Sequence, residues 1–357
     1  MTKRIIVVGS GIVGAAISYY LAKAGALVTI IEEGEPGGVA TRNSWGWINA
    51  SWGNPEPYFR LRMRAIEEWR RLAGEVPDLT LNWCGGLIWD RDPEALEAYA
   101  KEREAWGHPI QRVDRDTILQ LEPNLKDVPG FAYHVSGEGV VEPLAASLAL
   151  LEAAKSLGAE VLPKTSIKWL QEDQARVSGV MTDVGIIHAD EIVIAAGAAT
   201  ASLLDTIGIA LKMDSPAGLL THSKPTMPLL NGLVMIPGLY LRQTAEGRIV
   251  AGTDFAGTDP EGEADALAAG LQAKVQAMVK GAEDLALDFH TVGYRPMPAD
   301  GFPAIGRPGN REGLYVAVTH SGITLAPALG VFAAEEILNG MRSPYLALYH
   351  PDRPQLT

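Results

Sequence analysis

An α/β fold that joins a parallel sheet to a second, antiparallel α+β unit is predicted by three observations. A strand–helix–strand order occupies the first 33 residues, and a similar rhythm returns from about residue 139. From about 211 to 290 the pattern changes to short strand-like runs with a single helix signal. A chain of 357 residues is long enough for two such units, each with its own core.

Residues 4–8 (RIIVV) are an unbroken apolar run, as a strand buried on both faces requires. GSGIVG follows, then a helix-forming stretch that ends at Gly25, and LVTII at 27–31 supplies the next strand. That order demands a right-handed crossover between parallel neighbours. Pro36, Gly37 and Gly38 break the chain, and a polar, aromatic-rich loop runs to Pro57. Residues 58–73 form an amphipathic helix with Phe59, Met63, Ile66 and Trp69 on one face. Strands are expected near 86–90 and 131–135, with a charged surface helix at 92–106. A strong helix at 144–157 closes at Gly158, followed by strands at 159–162 and 165–170 and the run IHADEIVIAAGAAT. Beyond 211 come strand-like GLYLRQ and GRIVAG, a helix near 264–280, the strand LYVAVT at 314–319, and a turn leading into a last helix. The organisation is therefore discontinuous: 1–50, 139–210 and 295–357 form one domain, and 51–138 and 211–294 the other.

A formal net charge of −13 argues against a nucleic-acid partner, because phosphate recognition draws on Lys and Arg. The single cysteine, Cys84, excludes an internal disulfide and a cysteine-rich metal site, and it fits a reducing cytoplasm. The first residues run straight into a strand, leaving no room for a cleaved leader, and no window approaches the ~20 apolar residues of a membrane span. The expectation is a soluble cytoplasmic protein.

Gly9, Gly11 and Gly14 make a G-x-G-x-x-G turn between strand and helix. The first glycine permits the turn, the second lets backbone approach a pyrophosphate, and the third brings helix and strand together. Glu32, 23 residues after Gly9, ends the second strand where a carboxylate accepts from ribose hydroxyls, with Glu33 beside it. This is the pattern of a Rossmann-type dinucleotide site, for which the acid alone does not choose between FAD and NAD.

Six blocks appear in order: the glycine turn with Glu32, ATRNSWGWIN, GVVEPLAASLALLEAAKSLGAEV, EIVIAAGAAT, GYRPMPADGFPAIGR and THSGITLAPALG. Together they resemble the D-amino-acid oxidase, glycine oxidase and sarcosine oxidase superfamily over essentially the whole chain. The resemblance implies a Rossmann-type FAD-binding domain with a discontinuous, antiparallel-sheet substrate domain, and FAD held non-covalently, since Cys84 lies outside the matching blocks. It further implies that Arg42, Asn43 and Ser44 contact the flavin and pyrophosphate, Ile167 the adenine end, and Ala195, Ala196 and Gly197 the strand-end turn beside FAD. The block His320–Thr324, with Ser321, Gly322 and Ile323 inside it, would meet the pyrimidine edge of the flavin, where a helix N-terminus favours negative charge.

By the same resemblance Arg295 forks onto a substrate carboxylate, a task its planar guanidinium suits, and Tyr240 assists. The implied reaction is oxidation of a C–N bond of an amino acid, or an N-alkyl or cyclic amino acid, to an imine by hydride transfer, with no side chain acting as strong base. Dioxygen, a quinone or a protein partner would take the electrons. Sarcosine oxidases carry a lysine near the flavin where this chain has Val250. An alternative is the catalytic subunit of a heteromeric amino-acid or opine dehydrogenase; a flavin-dependent tRNA-modifying enzyme and an NAD dehydrogenase are lesser ones. Trp45, Trp47 and Trp52 either wall the cavity or pack between domains. His222 is read as structural, and Arg242 as a second anion contact or a cross-strand pair.

Overall fold

The computed structural model describes residues 2–51, 53–174, 176–253, 260 and 262–357. Arg4–Val8 lies between Leu27–Ile31 and Glu191–Ile194, parallel to both. Glu160–Leu162 extends the sheet on one side and Leu314–Val318 on the other, again parallel, and Ala304–Gly306 closes that edge antiparallel. The inner strands read as unbroken apolar runs because both of their faces are covered. One face carries the helices Ile12–Lys23, Pro143–Ser156 and Gly322–Asn339. The other carries an antiparallel meander, Ile167–Asp173, Arg176–Thr182 and Gly185–His188. Its Leu170, Val177 and Val180 share a buried cluster with Ile6, Val8, Ile192 and Val316.

That meander departs from expectation, which had one strand at 165–170 and none at Arg176–Thr182. Ser178 and Gly179 dilute its strand signal, yet the Ile187 carbonyl of the neighbouring strand leaves no room for a Cβ at Gly179.

The second sheet has eight strands in the order Leu287–Tyr294, Ala217–Ser223, Ile249–Gly252, Leu239–Gln243, Leu233–Ile236, Gly86–Ile88, Phe131–Val135 and Ile110–Asp114. All neighbours are antiparallel except Leu233–Ile236 with Gly86–Ile88. The helix Ala264–Met278 covers one face through Ala268, Leu271 and Val275. The fold class is therefore the mixed α/β architecture expected.

The amphipathic helix spans Glu56–Glu75, slightly longer than foreseen. Phe59, Ile66 and Trp69 are buried and Met63 is half-buried. It packs on Gly322–Asn339, and Trp69 Nε1 donates to Ile323 O at 2.9 Å and Thr324 O at 3.0 Å. The first turn of that last helix is thereby held from outside. Among the described residues, no helix is long and apolar enough to cross a membrane, and no cluster of His, Cys, Asp and Glu could hold a metal ion.

Candidate active site

A cavity of about 830 Å³ begins at the C-terminal ends of the parallel strands and reaches the eight-stranded sheet. At the strand end of the cavity Gly9 has φ +97°, a left-handed conformation, and a Cβ there would stand 2.5 Å from Ala195 O. Gly14 sits behind the wall, where a Cβ would collide with the Gly9 carbonyl oxygen. Glu32 accepts from Ser10 N at 2.9 Å and Ser10 Oγ at 2.6 Å, and its other oxygen accepts from Gly34 N at 3.1 Å. The carboxylate thus pins the glycine turn while facing the cavity, with lone pairs left for further donors. Thr41 Oγ1 accepts from Ile12 N at 3.0 Å, capping the helix from another segment. Nothing in its position in the sequence marks Thr41 for that task.

Gly11, Glu33, Asn43, Ser44, Ile167, Ala195, Ala196 and Gly197 all line the cavity. Arg42 does not: its guanidinium donates to the carbonyls of Gly38, Glu35 and Pro36, bracing the turn.

At the other end, the wall includes His320, Ser321, Gly322, Ile323 and Thr324. Thr324 Oγ1 donates to Trp47 O at 3.3 Å and accepts from Asn49 N at 3.2 Å, so its hydroxyl ties the last helix to the segment 47–49. Glu138, fully buried and not singled out in the sequence, holds that segment from the far side. It accepts from Trp47 Nε1 at 3.0 Å, Ala50 N at 2.9 Å and Ser51 N at 2.8 Å. Glu138→Leu strands three buried donors, and we expect a loss of about 3 kcal/mol or more. A thermal melt checks this; an unchanged midpoint would show that the segment holds itself.

Tyr240, on the second sheet, and Arg295, one residue past its strand Leu287–Tyr294, both line the cavity. A Cβ at Gly218 would stand 2.9 Å from Arg295 Nη2, so that glycine leaves the guanidinium its space. Trp45 and Trp47 wall the cavity, packed edge-to-face at 5.8 Å, and the Trp45 ring lies 6.3 Å from that of Tyr240. Trp52 lies outside the described residues. Arg62, on Glu56–Glu75, also reaches the wall and was not anticipated.

Burial, reinforced by the Arg62 and then the Arg295 guanidinium, pushes the His320 imidazole down to about 4. His222 is absent from the cavity wall, its ring stacked 4.4 Å from that of Phe289. Burial, with Arg242 and Arg248, holds it at about 4 as well. Both groups ordinarily titrate near 6.5, so between pH 6.5 and 4 the unfolded chain binds more protons than the folded one. Their contribution to stability is complete above pH 6.5 and declines as pH falls toward 4. We expect His222→Phe to reduce this acid sensitivity, read as the change in urea midpoint between pH 7.5 and 5. An unaltered difference would assign the sensitivity elsewhere.

Arg242 does not line the cavity. It makes a bidentate pair with Glu142, at 2.7 and 3.1 Å, and donates to Trp45 O. Val250 is buried, and its carbonyl accepts from Trp45 Nε1 at 3.4 Å. Cys84 is off the wall, and burial raises its thiol pKa.

Residues 4–336 match the DAO family, FAD dependent oxidoreductase. The glycine oxidase of Bacillus licheniformis is 27% identical, covering 98% of this chain and 97% of its own. The glycine oxidase structure from Geobacillus kaustophilus superimposes with a TM-score of 0.89 at 26% identity, covering 99% of both chains. The L-proline dehydrogenase structure from P. horikoshii gives 0.87, also at 26%, covering 98% of this chain and 97% of that one.

Proposed function

The chain belongs to the DAO family of FAD dependent oxidoreductases, and from that premise we propose that it oxidises the C–N bond of a carboxylate-bearing amine to an imine. The substrate is an amino acid or an N-alkyl or cyclic amino acid. The observation that carries this reading is Arg295 on the same cavity wall as Tyr240, with Gly218 leaving room for its guanidinium.

The cavity suits FAD: a Cβ at Gly9 or Gly14 would obstruct the turn, and the Glu32 carboxylate faces the site. Gly9, Gly11, Glu32, Glu33, Asn43, Ser44, Ile167, Ala196 and Gly197 would hold the nucleotide portion, and Ser321–Thr324 the ring. Gly14 acts through packing and Arg42 through the turn it braces. When bound, FAD supplies the two-electron acceptor. Residues 1–50, 139–210 and 295–357 form the cofactor domain in this reading, and 51–138 and 211–294 the substrate domain.

Arg295 binds the carboxylate with two parallel hydrogen bonds and Tyr240 steadies it, which fixes the α carbon in place. Trp45 and Trp47 exclude water from the reacting face. His320 is neutral at working pH and adds no charge. Apart from Glu32 and Glu33 at the nucleotide end, no described carboxylate lines the cavity, which supports an amine that enters neutral and needs no strong base among the described side chains. Water then hydrolyses the released imine. The relatives named glycine oxidase support dioxygen as acceptor. Val250, a buried aliphatic residue where the resembling sarcosine oxidases have a lysine, favours a second reading in which a quinone or protein partner takes the electrons. A cytoplasmic site of action completes the proposal.

The test is an anaerobic titration of the yellow protein with D-amino acids, glycine, sarcosine and proline. Bleaching by one class supports the reading, and the rate at which air restores colour separates oxidase from dehydrogenase. A yellow protein that none of them bleaches overturns the substrate assignment.

A further inference from the structure

Arg62 is a cation at the ring end that the chemistry above leaves unused. The helix Glu56–Glu75 turns it inward onto the cavity wall, and the residue is only 6% exposed. Its Nε donates to Asn49 O at 3.0 Å, and its guanidinium carbon stands 5.4 Å from the centre of the Tyr58 ring. Among the described residues, no carboxylate pairs with it and its terminal nitrogens have no hydrogen-bond partner. On the same wall, Asn49 Oδ1 is buried without a partner among the described residues.

A cation withdrawn from water is retained where an anion completes it. Among the described residues none provides that anion here, because the acids on the wall, Glu32 and Glu33, belong to the nucleotide end. The oxidised cofactor's formal charges do not provide it either, and its ring becomes anionic only after the substrate has been oxidised. The formal charges reside on its phosphates, which the Gly9 turn would receive. His320 feels both Arg62 and Arg295, so the two guanidiniums border one compartment.

We propose that the substrate carries a second anionic group, received by Arg62 while Arg295 holds the carboxylate beside the reacting carbon. The substrate class is then a dicarboxylic amine: an acidic amino acid, or an amino acid bearing a carboxyalkyl group on nitrogen. This rests on the reading of Arg295 given above. The unpaired Asn49 amide oxygen offers such a ligand an acceptor for its N–H.

The experiment compares the holoprotein with Arg62→Met and Arg62→Lys on matched pairs: iminodiacetate against sarcosine, and aspartate against alanine. Binding of the unreactive pair succinate and propionate is followed in parallel by the visible spectrum of the bound cofactor. The wild type should favour the second carboxylate by about thirtyfold or more in kcat/KM or Kd. Arg62→Met should erase that preference while changing the monocarboxylate values less than about threefold, and Arg62→Lys should restore part of it. FAD content and midpoint potential should stay as in the wild type.

Equal loss for both members of a pair, or a shifted midpoint potential with the preference intact, overturns the proposal and assigns Arg62 to the cofactor. Should Arg62→Met fail to fold, the wild type decides alone, since no preference for a second carboxylate is equally fatal. The two readings also fail separately. Arg62-dependent dicarboxylate binding without any amine oxidation sinks only the oxidation chemistry. Oxidation of monocarboxylic amines indifferent to Arg62 sinks only the second anion site.

Discussion

Arg295→Leu is expected to lower kcat/KM for every carboxylate-bearing amine by roughly 30- to 4,000-fold while the protein stays yellow. Removing one partner of a buried, hydrogen-bonded charge pair costs about 2–5 kcal/mol or more, and each 1.4 kcal/mol is tenfold. The residue is well placed for such an effect. Its backbone N donates to Pro216 O at 3.1 Å, and its guanidinium packs against Gly218, so anchor and head are both constrained. A rise in KM alone would mean the carboxylate is gripped equally in ground and transition states. A fall in kcat as well would mean the grip also aims the α carbon. Arg295→Lys should recover little, because an ammonium cannot reproduce the planar fork. Unchanged steady-state kinetics would remove Arg295 from the site.

The second large effect concerns the cofactor end. Gly14→Ala places a methyl group into the Gly9 carbonyl, a backbone atom that cannot rotate away. Turn and helix must separate, at a cost we put at about 3 kcal/mol or more. The expected outcome is little folded protein, or a colourless one with a depressed melting temperature. Gly25→Ala is the control: its φ is also positive, at +86°, but a Cβ there meets nothing within 4 Å. It should cost about 1–2 kcal/mol and leave FAD bound. If the two variants behave alike, loss of glycine rather than the close approach is responsible.

Much of the opening strand–turn–helix–strand unit was legible in the sequence because its signals are local. The glycines, their flanking strands and Glu32 lie within 33 residues, and each step constrains the next. The meander was only partly legible, since Ser178 and Gly179 dilute a strand pattern that the neighbouring strands complete. Thr41, Glu138 and Arg62 were missed for a different reason. Glu138 meets residues 47–51 only after the chain has travelled through three helices and three strands of the second sheet. Arg62 stands among RLRMR, where alternate arginines look equivalent until the helix is seen to bury one and half-expose its neighbour Arg64. Arg242 illustrates the converse. A buried arginine on a sheet invites a ligand assignment, and only its pairing with Glu142 shows the charge to be met internally.

The packing of Gly322–Asn339 on Ile12–Lys23 bears on how the protein is made. A Cβ at Gly330 would reach Ala16 O, so the last long helix lies against the first with almost no clearance. Arg4–Val8 likewise needs Glu191–Ile194 as a neighbour. On the ribosome the opening strand and helix therefore emerge long before the surfaces that cover them. Such non-local pairing slows folding and leaves apolar strand edges open in the meantime. That core therefore closes only when the residues near 339 have cleared the exit tunnel, and cutting within that helix exposes the face of Ile12–Lys23 that it covers.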